Sequence, residues 1–466
     1  MPFDYDLVVV GVGPAGEKGA AQAAYFGKRV ACVERAEEPG GAAVHTGTLP
    51  SKTLRETALF LSGFRQRELY GLNVELKTDT AVPRLLSRKD AVRTLEVARI
   101  HWNLERHGIP LLRGTARFVD PHTIEITGGG GGPRRVTSEM FLVATGSKPH
   151  HPPDIPFDDE DVDDSDTILQ IDRLPKTMLI VGGGVIGVEY ASMFAAMHVA
   201  VTLVEGRPRL LPFLDDEIAE RLRGAMHTLG VDFHLGQTTQ SIRRVEGRGI
   251  VTTLAGGLEI AAEKVLASSG RSGATAGMGL EAIGVGVDKR GYVTVDGDYR
   301  TTVPSVYAAG DVIGFPALAS TSMEQARVAV CHAFGFTYKR QVSHLQPFGI
   351  FTIPELSCIG FSEEDARQKG LDFVVGRAFY RDNARGKIVG DKDGVIKIVV
   401  DRKTRKLLGC HCIGERSSEV VHIGQAVMLL GGTIDAFIEM VFNYPTLSEM
   451  FKYAAYDALG AIARSS

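Results

Sequence analysis

Residues 6–34 read DLVVVGVGPAGEKGAAQAAYFGKRVACVE and decide the fold of the first part of the chain. The apolar run Leu7–Val10 predicts a buried parallel strand, and the small residues of 18–26 predict a helix packed closely on a sheet. A second predicted strand, 29–33, ends at the acidic Glu34. Strand, glycine-rich turn, helix and strand in this order predict a βαβ unit of the Rossmann type.

Three glycines, Gly11, Gly13 and Gly16, have the spacing of a dinucleotide-binding turn. The first permits the tight turn, the second lets the backbone approach a pyrophosphate, and the third lets helix and strand pack closely. The phosphates would lie at the positive end of the helix, and Glu34 would accept hydrogen bonds from ribose hydroxyls. A structural turn without a ligand is the simpler alternative, but the surrounding strand, helix and acidic residue favour dinucleotide binding.

The same unit recurs in the middle of the chain, where residues 178–204 repeat the order of strand, turn, helix and strand, with the helix predicted over 188–197. In both units, 23 positions separate the first turn glycine from the final acidic residue. Two dinucleotide units on one chain predict electron transfer between two bound dinucleotides, and FAD with a nicotinamide cofactor is the natural pair. The nucleotide-binding positions of the second unit are Gly182, Gly184, Gly187 and Glu205.

The composition is that of a globular protein. With 466 residues the chain is expected to hold about two to four domains, and 44% hydrophobic with 23% charged residues are ordinary values. The net charge of −4 gives no reason to expect nucleic acid or an anionic membrane as a partner. Five cysteines do not make a disulfide framework and no leader segment is evident, so a cytoplasmic setting is expected.

Residues 40–52 read GGAAVHTGTLPSK, shortly after the first unit. In this place the segment resembles the flavoprotein disulfide reductases, such as glutathione reductase and lipoamide dehydrogenase. Those enzymes carry a redox-active cysteine pair at the positions of Ala43 and Thr48, so the resemblance implies the flavin scaffold without its dithiol chemistry. The chain is similar over nearly its full length to one branch, the soluble (Si-specific) pyridine nucleotide transhydrogenases, although it also lacks the first cysteine that this branch often retains.

The resemblance implies the α/β fold of glutathione reductase, with two Rossmann-like dinucleotide-binding domains and a C-terminal α+β dimerisation domain. Residues 1–150 and 273–340 are expected to form the FAD-binding domain, 151–272 the NAD(P)-binding domain, and 341–466 the interface domain of a homodimer. Basic, acidic and apolar residues at helical spacing over 61–107 predict surface helices within the first of these domains.

Further superfamily elements would surround the flavin, among them an ATG element at 144–146, a GD turn at 310–311 and a helix that starts near residue 319. Free N–H groups at that helix start suit the flavin pyrimidine oxygen, which becomes more negative on reduction. The FAD contacts implied by the resemblance are Gly41, Thr48, Lys52, Gly114, Ala116, Thr145, Gly146, Gly310, Asp311 and Ala319.

Lys52 and Glu189 are the candidate catalytic residues. The resemblance places Lys52 beside the flavin N5 atom and Glu189, on the helix of the second unit, as its partner. A fixed positive charge near N5 stabilises a reduced, anionic flavin, and a carboxylate can orient that lysine and contact the nicotinamide amide. Taken alone, each would be an ordinary charged residue of a helix.

The choice of nicotinamide cofactor depends on the end of the second unit. Glu205 favours NAD(H), because a carboxylate binds two ribose hydroxyls and repels a 2′-phosphate. Arg207 and Arg209 are close enough in sequence to offer a counter-charge, so NADP(H) binding stays open. By resemblance, Gly270 and Arg271 form the turn that closes the NAD(P) domain.

Two further segments bear on the chemistry. Disulfide reductases carry, at the position of Tyr444, a histidine that pairs with a glutamate, here Glu449, and protonates a thiolate. Because this chain lacks both that histidine and the two cysteines, thiol or disulfide substrates are not expected. Residues 410–412 read Cys-His-Cys, but on a strand the two sulfurs and the histidine point to opposite faces, and no metal site is predicted.

The predicted function is FAD-dependent hydride transfer between NAD(H) and NADP(H), by a ping-pong mechanism in which reduced flavin, and not a redox disulfide, holds the electrons. An NADH-dependent diaphorase or quinone reductase is the alternative. A flavoprotein that binds NAD(H) to sense redox state or to scaffold a partner is a hypothesis of another class, and the presence of both Lys52 and Glu189 argues against it.

Overall fold

In the computed structural model, residues 2–64, 69–71, 78–158 and 160–465 are described. Part of the stretch 61–107, for which surface helices are predicted, lies outside these residues. None of the described helices combines the length and the apolar character that crossing a bilayer would need.

The N-terminal unit opens with the predicted strand, glycine turn, helix and strand. Its first helix begins at Pro14, four residues before the predicted start at 18, because proline suits the first helical position directly after the turn. The elements are β1 (Tyr5–Val10), α1 (Pro14–Tyr25), β2 (Val30–Glu34), α2 (Gly41–His45), α3 (Thr48–Leu61), α4 (Thr78–Arg106), β3 (Leu111–Arg113), β4 (Thr115–Asp120), β5 (Thr123–Thr127), β6 (Arg134–Val143) and β7 (Ser147–Pro149).

The middle unit repeats this βαβ start. Leu7 pairs with Val30 in the first unit and Met178 with Val201 in the second, so both registers are related by the same offset of 171. The elements are β8 (Val162–Asp163), β9 (Thr177–Val181), α5 (Val185–Ala196), β10 (Ala200–Glu205), α6 (Asp216–Thr228), β11 (Val231–Leu235), β12 (Thr239–Val245), β13 (Gly249–Leu254), β14 (Glu259–Ala262), β15 (Lys264–Ala267) and β16 (Arg271–Gly273).

After β16 the chain returns to the N-terminal unit with β17 (Val306–Ala308) and α7 (Ala319–Phe334). The parallel sheet there has the order β3-β2-β1-β6, and β17 pairs with β6 on its other side. The first half of β6 instead pairs antiparallel with β5, which pairs with β4. The middle unit has a parallel sheet in the order β11-β10-β9-β15-β8 and a separate antiparallel sheet β12-β13-β14.

The C-terminal unit is an antiparallel sheet in the order β18-β19-β22-β21-β20, with helices packed on it. This mixed architecture agrees with the predicted α/β fold class. Strands β7 and β16, which adjoin the predicted domain boundaries at 150 and 272, pair with each other, and the boundaries themselves remain predictions. The elements are β18 (Phe348–Ile350), β19 (Leu356–Gly360), α8 (Glu363–Gln368), β20 (Phe373–Phe379), α9 (Ala384–Val389), β21 (Val395–Asp401), β22 (Leu407–Ile413), α10 (Ser417–Leu429), α11 (Asp435–Glu439) and α12 (Met450–Ser465).

A buried charge cluster joins the middle and C-terminal units. The Lys397 ammonium on β21 lies 2.8 Å from Asp215, 3.3 Å from Glu217 and 2.9 Å from Glu363, and its side chain is 1% exposed. Asp215 also caps helix α6. Burial alone would lower the pKa of Lys397, but the bonds to Asp215 and Glu363 outweigh it and raise that pKa above its ordinary value.

We expect Lys397→Met to destabilise the FAD-loaded protein strongly, because the substitution leaves the fully buried Asp215 carboxylate without its cation. The cost expected for breaking such a pair is about 3–5 kcal/mol, measured as a lower Tm in thermal unfolding. The exposed Lys392 provides the control, since Lys392→Met is expected to cost within about 0.5 kcal/mol.

The difference in Tm between wild type and Lys397→Met depends on pH in a defined direction. Because the folded pKa of Lys397 is raised, its stabilising contribution is complete at neutral pH and is lost only as pH rises through the folded value. The Tm difference between wild type and Lys397→Met is therefore expected to persist from about pH 7 to about pH 9. A difference that disappears within this range would contradict the assignment.

Candidate active site

The first glycine turn allows very close backbone packing. Gly11 has φ +94°, and a Cβ placed there would lie 2.5 Å from the carbonyl oxygen of Ala144. A Cβ at Gly16 would lie 1.9 Å from the Gly11 carbonyl oxygen, so α1 can approach the turn this closely only with glycine. Gly13 is the N-cap of α1 and has no side-chain cap, which suits an anion at the first-turn N–H groups.

The Glu34 carboxylate braces this turn. Oε2 accepts a hydrogen bond from the Val12 N–H at 2.8 Å, and Oε1 accepts one from Ala36 at 2.9 Å. The Gly114 N–H donates to the Glu34 carbonyl oxygen at 2.9 Å, and Ala116 lies buried two residues further on β4. The predicted ribose-binding acid and the predicted FAD contacts Gly114 and Ala116 are thus neighbours.

Other residues predicted to contact FAD gather around the same turn. A Cβ at Gly41 would lie 2.9 Å from the Cα of Gly13, so the second glycine loop lies directly against the first. A Cβ at Gly310 would lie 3.0 Å from the Cβ of Ala15, which places the GD turn against the first turn of α1. Thr48 and Ala319 are the first residues of α3 and α7.

The Thr145 hydroxyl provides a separate sign of a binding site. Its Oγ1 atom is buried, and none of the described residues supplies it with a hydrogen-bond partner. Gly146 follows it, and a Cβ there would meet no atom within 4 Å. A buried hydroxyl without a partner next to open space fits a ligand that completes the hydrogen bond, and the residues around the first turn therefore fit FAD.

A polar chain connects the end of the middle unit to the GD turn. Arg271 donates from Nε to Ser147 Oγ at 2.8 Å and from Nη2 to the Ser147 carbonyl oxygen at 2.9 Å. The Ser147 hydroxyl in turn donates to Asp311 Oδ2 at 3.0 Å. Gly270, with φ +94°, makes the turn into β16 directly before Arg271. The predicted roles of these residues toward a cofactor remain predictions.

The second glycine turn repeats the contacts of the first. A Cβ at Gly187 would lie 1.8 Å from the Gly182 carbonyl oxygen, and the Gly183 N–H donates to Glu205 Oε2 at 2.7 Å. A Cβ at Gly184 would meet no atom within 4 Å, so this glycine faces open space, as a pyrophosphate-binding position requires. The second turn thus fits a dinucleotide by its own geometry.

Lys52 and Glu189 form an ion pair between the two dinucleotide units. Lys52 Nζ, on α3, donates to Glu189 Oε1 at 2.9 Å and Oε2 at 2.7 Å. The Phe351 N–H of the C-terminal unit donates to Oε1 at 2.8 Å, and the Phe351 ring centroid lies 5.1 Å from Lys52 Nζ. Glu189 is 5% exposed, so this arrangement satisfies a buried carboxylate and fixes the position of the lysine.

Arg207 covers the acidic residue that ends β10. Its backbone N–H and Nε bond Glu205 Oε1 at 2.8 and 2.9 Å, and Nη2 bonds Oε2 at 2.9 Å. Burial acts to raise the pKa of Glu205, but the bonds from Arg207 and Gly183 outweigh it and hold the pKa below its usual value. Arg209 instead pairs with Asp216, at the start of α6.

The structure also locates the residues that the resemblance aligns with the thiol chemistry. Ala43, predicted to stand at the first cysteine position, lies in α2, and Thr48, predicted to stand at the second, starts α3. Tyr444 is 75% exposed, and Glu449 accepts a hydrogen bond from Asn383 Nδ2 at 2.8 Å. The five cysteines of the chain are all free and buried.

The Cys-His-Cys segment on β22 has the arrangement expected of a strand. The sulfurs of Cys410 and Cys412 lie 3.7 Å apart on one face, and the His411 ring bonds the Phe361 carbonyl oxygen at 2.9 Å. Burial lowers the pKa of His411. Within the ranges that the structure describes, no cluster of three or more His, Cys, Asp or Glu side chains could hold a metal ion.

Sequence reasoning missed several members of this site. Ser147 directly follows the ATG element and Phe351 lies in the predicted interface domain, but their contacts with Asp311 and Glu189 span more than 160 positions of chain. The direct pairing of Arg207 with Glu205 could have been anticipated, because two residues on a loop just after a strand can contact each other.

Comparisons with known proteins agree with this arrangement. The profile of the family described as "Pyridine nucleotide-disulphide oxidoreductase" matches residues 5–333, and that of its dimerisation domain matches residues 346–455. The soluble pyridine nucleotide transhydrogenase of Mycobacterium tuberculosis (strain ATCC 25177 / H37Ra) is 46% identical over 98% of this chain and 97% of its own length. The enzyme of the same name from Pseudomonas aeruginosa (strain LESB58) is 39% identical over 99% of both chains.

Solved structures show the same fold. The Cu(II) complex of the HOCl-induced flavoprotein disulfide reductase RclA from Escherichia coli is 28% identical, with a TM-score of 0.87 over 98% of this chain and 99% of its own. LpdA from Mycobacterium tuberculosis is 26% identical, with a TM-score of 0.89 over 97% of this chain and 99% of its own. These likenesses confirm the predicted glutathione reductase-like architecture. The chain belongs to the pyridine nucleotide-disulphide oxidoreductase family, within the group of the soluble pyridine nucleotide transhydrogenases.

Proposed function

We propose that this protein transfers hydride between NAD(H) and NADP(H) by a ping-pong mechanism that uses FAD and no redox disulfide. The observation that carries the proposal is the ion pair of Lys52 and Glu189, which joins the two dinucleotide units. In addition, Ala43 and Thr48 stand, by the resemblance, at the positions of the redox cysteines in related enzymes. With no cysteine at either of these two positions to receive electrons, the second nicotinamide nucleotide is the natural acceptor.

The comparisons support the cofactors and the assembly. The family is named for pyridine nucleotides, RclA is described as a flavoprotein, and the relatives at 46% and 39% identity are named transhydrogenases. The dimerisation domain supports a homodimer. A cytoplasmic setting is part of the proposal, because all five cysteines are free and buried.

The residues of the chain would position the reactants and stabilise charge. FAD, when bound, supplies a carrier that accepts a hydride from one nicotinamide nucleotide and returns it to the next. Lys52 places a fixed positive charge in the site, and Glu189 with the Phe351 N–H keeps that charge in one position. The first-turn N–H groups of α1 and α5 would bind the two pyrophosphates.

The pairing of Arg207 with Glu205 supports the use of both nicotinamide nucleotides. An uncovered carboxylate would repel a 2′-phosphate, but here a bidentate guanidinium balances its charge. The Arg207 side chain is 50% exposed, so it can turn toward an incoming phosphate while Glu205 stays bound to Gly183. NAD(H) would use the carboxylate, and NADP(H) the guanidinium.

The direct kinetic test is steady-state transfer from NADPH to the acetylpyridine analogue of NAD⁺, whose reduced form absorbs at a separate wavelength. We expect turnover with parallel double-reciprocal plots when both substrates are varied, because one product leaves before the second substrate binds. Intersecting plots would contradict the ping-pong order. No turnover from NADPH, together with rapid reduction of a quinone by NADH, would replace the proposal with the diaphorase function.

Arg207→Gln is expected to weaken NADPH selectively. Loss of a charge-assisted bond to a phosphate would raise the KM for NADPH by about 10–100-fold, with little change in the KM for NADH. Arg209→Gln is the matched control, because Arg209 pairs with Asp216 and not with Glu205. An equal rise of KM for both nucleotides would show that Arg207 only supports the turn.

Lys52→Met is expected to slow the reduction of bound flavin by NADH by about 10²–10³-fold, because the fixed charge in the site is lost. The rate is followed by anaerobic stopped-flow, after the flavin absorbance has shown that FAD is still bound. Lys52→Arg keeps the charge and is expected to retain more activity. An unchanged reduction rate in Lys52→Met would remove this residue from the chemistry.

A further inference from the structure

Three phenylalanine rings from the three units form a row on the surface, which we call the aromatic row. The ring centroids of Phe315 and Phe348 are 6.0 Å apart and nearly parallel, with an angle of 19°. The centroids of Phe348 and Phe213 are 5.7 Å apart. Phe315 is 82% exposed and Phe213 is 47% exposed, so large apolar surfaces of both rings face solvent.

Phe213 lies on the segment that covers the second glycine turn. In this segment the Leu211 N–H points to the Gly183 carbonyl oxygen at 3.5 Å, and Leu210 and Leu211 are buried. Leu211 has φ +44°, a conformation that a leucine keeps only when its surroundings fix it. The same segment carries Arg207, so the stretch of chain that bears Phe213 also bears the residue that pairs with Glu205.

Phe348 and Phe315 lie on the segments that reach the other end of the site. Phe348 starts β18, and three residues later Phe351 contacts both Lys52 and Glu189. Phe315 lies four residues before Ala319, the start of α7. One end of the row thus belongs to the segment that bears Arg207, and the other end lies near in sequence to Phe351, which contacts Lys52 and Glu189. These residues mark the ribose end and the flavin end of the proposed nicotinamide nucleotide site.

We propose that the aromatic row forms the outer wall of the nicotinamide nucleotide site and contacts the bound nucleotide, which makes Phe213 and Phe315 affinity-determining residues. This inference rests on the proposed function. Exposed rings suit a ligand with heteroaromatic and ribose surfaces, since stacking on aromatic side chains contributes measurably for any base. Because NAD(H) and NADP(H) share every group except the 2′-phosphate, the row would bind both equally, in contrast to Arg207.

The test is an equilibrium titration of the oxidised, FAD-loaded protein with NAD⁺ and with NADP⁺, followed by calorimetry. Phe315→Ala is expected to raise the Kd of both nucleotides by a similar factor, about tenfold, while the flavin absorbance stays unchanged. Phe213→Ala is expected to do the same. Phe315→Tyr keeps the ring and is expected to bind like wild type.

Phe60→Ala provides the matched control, because Phe60 is 77% exposed on α3 and is not in the row. Unchanged Kd values for both nucleotides in both alanine variants would overturn the inference. If those variants nevertheless lost quinone reduction, the row would instead be assigned to an aromatic acceptor. Weakening of NADP⁺ alone would also overturn it. If wild type binds NAD⁺ but not NADP⁺, the proposed function fails, and the NAD⁺ titration still tests the row.

Discussion

A carboxylate buried between two nucleotide-binding units needs a cation and a backbone donor, and Lys52 and Phe351 supply them to Glu189. The lysine comes from the N-terminal unit, the carboxylate from the middle unit and the N–H from the C-terminal unit. The complete arrangement, the ion pair together with its Phe351 donor, can therefore form only when all three units are docked. The position of the positive charge that the proposed chemistry requires thus depends on how the three units pack against one another.

Much of the fold could be predicted from local sequence, because a glycine turn is a local steric requirement. Gly11 and Gly182 open the two turns, and adding 171 to both residue numbers of the pair Leu7 and Val30 gives the pair Met178 and Val201 of the second unit. Helix α1 starts at Pro14, whereas the predicted start at residue 18 is too late, because the small residues there give a clearer helical pattern than the turn itself. Contacts such as Arg271 with Ser147 join distant segments, and no local pattern encodes them.

The residues at the predicted thiol positions bear on which acceptor this scaffold serves, because one fold can carry different chemistries. By the resemblance, Ala43 and Thr48 would stand at the positions of the redox cysteines, and the exposed Tyr444 at that of the thiol-protonating histidine. The elements predicted to contact FAD include the Thr145 hydroxyl, to which no described residue supplies a hydrogen-bond partner, and Asp311, where the polar chain ends. Under the proposal, the lack of cysteines at these positions, together with two glycine turns that fit dinucleotides, is physically consistent with electron exchange between nucleotides alone.

The most direct test of this account is an anaerobic double-mixing stopped-flow measurement of the flavin absorbance. The FAD-loaded protein is mixed with NADPH in the first step, and NAD⁺ is added in the second. The account predicts rapid bleaching by NADPH and full recovery of absorbance with NAD⁺, since no dithiol retains electrons. Bleaching by NADH but not by NADPH would contradict the account and would mean that Glu205 excludes the 2′-phosphate despite Arg207.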